Sequence, residues 1–257
     1  MALIYIGIVV IMMFLETSLV YMPTRYPDGS WQPSNLDFED AQFAAADGTR
    51  LNGWFLPCDH PRAVLLVAHG NGGNLTHRID MLRELHRLRA AVMIFDYRGY
   101  GRSEGSPNEA GILSDARGAR AWLAKRAGVT ESRVVLVGES LGTGVAVDLA
   151  AADGARGLIL VSAFTSLPDA AASHYPWLPV RILMRNRLDS LSKIGRYHGP
   201  LLAMHGDADR IVPFPLGRRL FDAANEPKRL VVARGSDHND PPSDEFYKAV
   251  DQFLDSL

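Results

Sequence analysis

The sequence predicts an α/β fold: a mostly parallel central sheet with helices on both faces. Three observations carry this expectation. Short unbroken apolar runs rich in Val, Ile and Leu recur along the chain, and segments with helical spacing separate them. Strands that are apolar at every position belong to sheets covered on both faces. One such run, 133–137, leads directly into Gly138-Glu139-Ser140-Leu141-Gly142 and then into a small-residue helical segment, 143–150. Strand, sharp turn and helix in that order hold a serine hydroxyl out above a sheet. The composition is that of a globular protein, 47% hydrophobic and 22% charged over 257 residues, which suffices for one large core.

The elements follow in chain order. Residues 1–15 are apolar without a charge. As a helix they reach about 22 Å, short of the roughly 30 Å of a hydrocarbon core; continued to Met22 the helix is long enough but includes Glu16. Residues 1–22 are read as a single N-terminal hydrophobic helix and membrane-anchor candidate, spanning or partly inserted. A cleaved signal peptide is disfavoured, because no Lys or Arg precedes the run and no small-residue cleavage site follows it. A helix docked on the domain is the remaining alternative. Arg25, after the segment, weakly favours a cytoplasmic catalytic domain, and the side of the membrane stays open.

A turn-rich link, 23–33, leads to a domain taken as 35–257. There 38–45 and 51–57 read as strands joined at Asp47-Gly48. A buried strand at 63–68 precedes a helix at 75–88, with Ile79, Leu82, Leu85 and Leu88 on one face. A strand at 92–95, a helix at 110–125 and the elbow strand 134–137 come next. Strands at 158–161, 201–204 and 230–232 and a closing helix at 244–254 complete the pattern. Residues 165–199 exceed what one crossover helix needs and carry Tyr175, Trp177, Ile182 and Met184. They are read as a small cap over the carboxyl edge of the sheet, supplying apolar wall to a site. A plain crossover helix with a long entry loop is the alternative.

A serine hydroxyl needs a base, and the base an orienting carboxylate. On a strand–elbow–helix sheet these follow the nucleophile in the order acid, then histidine. His238 lies just past the last strand, in Asp237-His238-Asn239-Asp240, and is the candidate base; His174 and His198 fall in the insertion, and His205 ends a buried strand. Asp209, in His205-Gly206-Asp207-Ala208-Asp209, is the candidate acid, and Asp207 is assigned to holding the turn. An oxyanion hole needs two backbone donors. The amide of Leu141 follows the nucleophile, and Asn71 lies in the small-residue loop His69-Gly70-Asn71-Gly72-Gly73-Asn74. Arg98 is read as a structural ion pair beneath that loop.

Together these segments resemble the α/β-hydrolase superfamily over roughly residues 35–257. HGNGGN (69–74), DYRGYGRSEG (96–105), GESLG (138–142), HGDADRIVP (205–213) and DHND (237–240) are similar to the Bem46/ABHD13-type branch. That branch commonly carries an N-terminal hydrophobic helix. The resemblance implies Ser140, Asp209 and His238 as a catalytic triad, in agreement with the residue-level reading, and it names no substrate.

The expected function is a membrane-associated serine hydrolase that cleaves carboxylic esters, with a lipid-like small molecule as substrate. Thioester or peptide hydrolysis on the same residues is the alternative, and a non-catalytic membrane scaffold a remoter one. Net charge −2 gives no reason to expect nucleic acid. Cys58 is the only cysteine and the eight histidines show no paired ligand spacing, so neither a metal nor a cofactor is expected. Oligomeric state is left open.

Overall fold

The computed structural model describes residues 1–257, the side chains of Ala2 and Ile6 excepted. Among the described residues an eight-stranded sheet runs in the order β1-β2-β4-β3-β5-β6-β7-β8. Its strands are β1 (Glu39–Ala44), β2 (Arg50–Leu56), β3 (Ala63–Ala68), β4 (Ala90–Phe95), β5 (Val134–Glu139), β6 (Gly157–Val161), β7 (Leu201–Gly206) and β8 (Lys228–Ala233). β2 is antiparallel to β1 and β4, and every pairing from β4 through β8 is parallel.

The two faces bury separate cores. On β3, Val64, Leu66 and Ala68 point to one side and Ala63, Leu65 and Val67 to the other. The first side packs under α3 (Glu109–Ala127), α4 (Leu141–Asp153) and α8 (Phe214–Ala223), through residues such as Ile112, Val145 and Leu220. The second packs under α2 (Ile79–Arg87) and α9 (Asp244–Asp255), through Leu82, Leu85, Phe246 and Val250. Local chemistry sets the helix ends. The Asn108 side chain accepts from Gly111 N–H at the start of α3, and Gly128 ends it in the left-handed region at φ 67°.

Three elements differ from the sequence expectation. The helix expected over 75–88 begins as a 3-10 turn, Leu75–Arg78, and becomes α-helical at Ile79. The Asn74 side chain caps that turn by accepting from Thr76 N–H. Helix α8 was not expected; Pro213 and Pro215 at its start and Gly217 inside it hide its periodicity. In the insertion, α5 (Leu167–His174) and α6 (Val180–Leu183) pack on each other, whereas α7 (Leu191–Ile194) packs beside α4. Leu188, Ile194 and Tyr197 are core residues there.

The N-terminal helix α1 is Ala2–Val20, continuing past Glu16 rather than stopping at it. At 1.5 Å per residue its 19 residues reach about 28 Å. Leu3–Val20 is apolar enough and long enough to cross a membrane. Past α1 the chain is strapped over two loops of the domain. Thr24 N–H donates to Gly73 O (3.1 Å), Gly101 N–H to Thr24 O (2.9 Å) and Tyr26 N–H to Gly101 O (3.0 Å).

Candidate active site

The elbow after β5 is forced by close backbone approach. A Cβ on Gly138 would sit 2.5 Å from Gly142 O, and one on Gly142 would sit 1.9 Å from Ala68 O. Only glycine fits either place. Between them Ser140 adopts φ 48°, ψ −115°, a left-handed conformation strained for a residue with a side chain. Its N–H donates to Val161 O (2.9 Å), which ties the strained turn to β6.

The residues expected at the site come together. His238 Nε2 lies 2.9 Å from Ser140 Oγ, and His238 Nδ1 lies 2.8 Å from Asp209 Oδ2. The pattern assigns the histidine tautomer: Nδ1–H donates to the carboxylate, and Nε2 is left to accept from the serine hydroxyl. Asp209 is buried, and its Oδ1 accepts from the amides of Ile211 (2.9 Å) and Val212 (2.7 Å). Burial alone would push this carboxyl up. Hydrogen bonds from His205, His238 and the Val212 amide outweigh it and hold the group well below the usual carboxylate range.

Neighbouring carboxylates organise the loops. Asp207 Oδ1 accepts from Gly235 N–H. Asp237 accepts from the amides of Arg210 and His238 and from the Arg210 guanidinium, which together lower it to about 2. Asp240 accepts from Asp237 N–H (2.8 Å). His205 Nε2 donates to Val212 O (2.8 Å) and stands 3.3 Å from Asp209 Oδ2, so this strand-end histidine also braces the acid.

Asn71 and Leu141 line the same cavity as Ser140 and His238. Among the described residues neither backbone N–H donates to a protein acceptor. The Asn71 side chain is engaged by the N-terminal segment and by Tyr100. Its Nδ2 donates to Val20 O (2.6 Å), and its Oδ1 accepts from Met22 N–H (3.0 Å) and Tyr100 O–H (2.8 Å). Its backbone N–H has no protein acceptor. The loop is held from below by groups that sequence reasoning missed. Tyr97 O–H donates to His69 O (2.9 Å), His69 Nδ1 meets Gly70 O (2.7 Å), and the buried His69 Nε2 lies 3.4 Å from Asp96 Oδ1. The signal was present in the aromatic spacing Tyr97–Tyr100.

Arg98 makes a structural ion pair, as expected, and its carboxylate partners lie outside the 69–74 loop. Its Nε and one terminal nitrogen embrace Asp115 of α3 (3.0 and 2.7 Å), and the other reaches Asp47 (2.8 Å). The α3 register places Asp115 directly beneath the arginine, and Gly111 leaves room for its stem.

The cavity over Ser140 measures about 690 Å³. Its floor is the elbow and the 70–73 loop, and its roof is α5 with Tyr175 and Met184. The last residues of α1, Leu19 and Val20, form one side with Met22. Among the described residues, the single acidic side chain on its lining, Glu139, is bound by Arg78 Nε at 2.6 Å.

Comparison with known proteins agrees with this architecture. Residues 59–193 match the family described as "Serine aminopeptidase, S33". An uncharacterised Mycobacterium tuberculosis protein, Rv2307c, is 40% identical over 242 residues, covering 93% of this chain and 86% of that protein. The chain belongs to the α/β-hydrolase superfamily. This α/β-hydrolase is also similar to the lysophosphatidylserine lipase ABHD12 of Danio rerio, 37% identical over 191 residues, 66% of this chain and 49% of that protein. Among solved structures, the Pyrococcus furiosus esterase Pf2001 superposes with a TM-score of 0.74 at 17% identity, over 93% of this chain and 98% of that one. The fold is shared with that esterase, and the hydrolase described here is esterase-like in its architecture.

Proposed function

We propose that this α/β-hydrolase is a membrane-associated serine hydrolase acting on carboxylic esters. One observation carries the reading: an unbroken line of hydrogen bonds from a strained, half-buried serine through His238 to a buried, ionised Asp209. Ser140 Oγ attacks the acyl carbonyl as His238 Nε2 takes its proton. Asp209 fixes the imidazole and stabilises its cation. The oxyanion rests on the N–H groups of Leu141 and Asn71, the first at the positive end of α4. His238 then protonates the leaving alcohol, and water releases the acyl group by the reverse steps.

A lipid-like ester is favoured because α1 and the cap supply apolar wall around the serine. Retention of α1 on the mature protein is supported by Glu16, whose carboxylate is buried against the insertion rather than left free. The same residues would serve a thioester. An aminopeptidase has the family's description in its favour, but its substrate ammonium would need a free carboxylate in the cavity. Glu139 is already paired with Arg78.

Turnover of p-nitrophenyl butyrate by the full-length protein tests the reading. Asn71 acts through its backbone, so substitutions belong at the triad: Ser140→Ala is expected to abolish turnover and Asp209→Asn to lower kcat about 10⁴-fold. Turnover of the Ser140→Ala protein equal to wild type would overturn it.

A further inference from the structure

A second, smaller compartment of about 160 Å³ adjoins the catalytic cavity. The two share five lining residues, Leu19, Val20, Ala171, Tyr175 and Met184, so one opens beside the other. Beyond these, its walls are Val9, Met12 and Met13 of α1 and Leu178, Val180 and Leu183 of the insertion. Among the described residues, the only charged side chain on the lining is Glu16. Its Oε1 accepts from Arg185 N–H (2.9 Å), Asn186 N–H (2.7 Å) and Asn186 Nδ2 (2.9 Å), and Arg185 Nε reaches its Oε2 (3.4 Å). With those bonds made, the wall offers an apolar ligand no unpaired charge.

The helix is fixed to the domain at several points. Tyr5 O–H donates to Trp177 O (3.0 Å) near its start. Val20 O accepts from Asn71 near its end, and Tyr21 O–H donates to Asn186 Oδ1 (2.9 Å). Tyr5, Val9, Met12, Glu16 and Val20 recur at intervals of four or three residues, which puts them on one helical stripe facing the insertion. The opposite face is exposed and apolar, with Ile4, Ile11 and Phe14 at 65%, 59% and 82% exposure. A chain lying along the stripe from Val20 to Val9 covers about 16 Å of helix.

We propose that α1 and the insertion together form the acyl-chain subsite of the active site, with the tail of a lipid ester running along the Val9–Met12–Glu16–Val20 stripe away from Ser140. This deepens the ester-hydrolase reading and rests on it for the position of the carbonyl. The N-terminal helix is then both anchor and substrate wall. The tail of a bilayer lipid reaches the serine along the same helix that holds the domain to the membrane.

The test compares kcat/KM for p-nitrophenyl dodecanoate and butyrate in full-length wild type, Met12→Trp, Leu178→Trp and Phe14→Trp, in detergent of fixed composition. Met12→Trp and Leu178→Trp fill the compartment from its two sides, and each is expected to lower the dodecanoate-to-butyrate ratio about tenfold or more. Phe14→Trp, on the outward face, is expected to leave it unchanged. A ratio unaltered by both filling variants, or lowered equally by Phe14→Trp, overturns the subsite. Binding of cis-parinaric acid, a fluorescent fatty acid, to the Ser140→Ala protein reads the compartment without chemistry. Weakened binding in Ser140→Ala/Met12→Trp and in Ser140→Ala/Leu178→Trp supports the proposal, and equal binding in both overturns it. If neither ester is hydrolysed by the wild type, the ester-hydrolase reading fails, and the parinaric acid result still decides the subsite.

Discussion

Replacing Glu16 is the perturbation that most directly separates a docked N-terminal helix from an incidental contact. Its Oε1 is the acceptor for three donors, two of them on the buried Asn186. Glu16→Ala strands those two donors, while the Arg185 amide beside an exposed side chain can turn to water. An unsatisfied buried donor costs about 1–3 kcal/mol. Allowing for partial entry of water, the helix–insertion contact should weaken by about 2–4 kcal/mol, roughly 30- to 1000-fold in its opening equilibrium. Glu16→Gln keeps an oxygen where Oε1 lies and loses the charge assistance together with the long, exposed Arg185 contact to Oε2, about 1 kcal/mol. Hydrogen exchange of peptides spanning 180–190 measures the opening. The expected result is exchange accelerated by about two orders of magnitude in the alanine protein and by less than one in the glutamine protein. Equal exchange in all three proteins would refute the docking argument. Equal acceleration in alanine and glutamine would refute the assignment of Oε1 as the shared acceptor.

Other consequences follow from the same geometry. Gly142→Ala drives a Cβ into the Ala68 carbonyl at 1.9 Å, so expression should yield no folded protein, or one destabilised by more than about 4 kcal/mol in urea; a near-native midpoint would contradict the elbow packing. Arg98→Met leaves the Asp115 carboxylate buried without its partner. Burial already raises that carboxyl despite the arginine, and a loss of about 3–5 kcal/mol is expected, partly restored by Asp115→Asn; a loss below about 1 kcal/mol would count against a buried pair. Asp209 is held below the ordinary carboxylate range, so its charged form contributes stability that is complete above the unfolded value of about 4 and fades as pH falls through the folded value. The urea-stability gap between wild type and Asp209→Asn should therefore narrow from pH 6 to pH 3, and a constant gap would show that the carboxylate is not held in its charged form.

The strands were legible because each is apolar along its whole length and bounded by turn residues. The elbow was legible because backbone collisions at Gly138 and Gly142 leave a fixed spelling. Ser140, Asp209 and His238 could be chosen because each ends at the same edge of a parallel sheet, which chain order alone defines. What stayed hidden depends on distance in the chain. Glu16 meets Arg185 and Asn186 across some 170 residues, and no local pattern marks a carboxylate in an apolar helix as a latch. Asn71 was chosen for its backbone, and its side chain proved to be the clamp on Val20 and Met22. Helix α8 was missed because its prolines and glycine resemble loop, although Leu220 is core. The insertion was read as one unit because its apolar residues are continuous, whereas Ile194 and Tyr197 belong to the layer beneath.

The proposed function makes Ser140 the nucleophile of this hydrolase. Reaction of the folded full-length protein with a fluorophosphonate, followed by mass-spectrometric mapping of the adduct, tests it most directly. A single adduct on Ser140, absent from Ser140→Ala, is expected. An adduct that persists in Ser140→Ala, or one that maps to another serine, would contradict it.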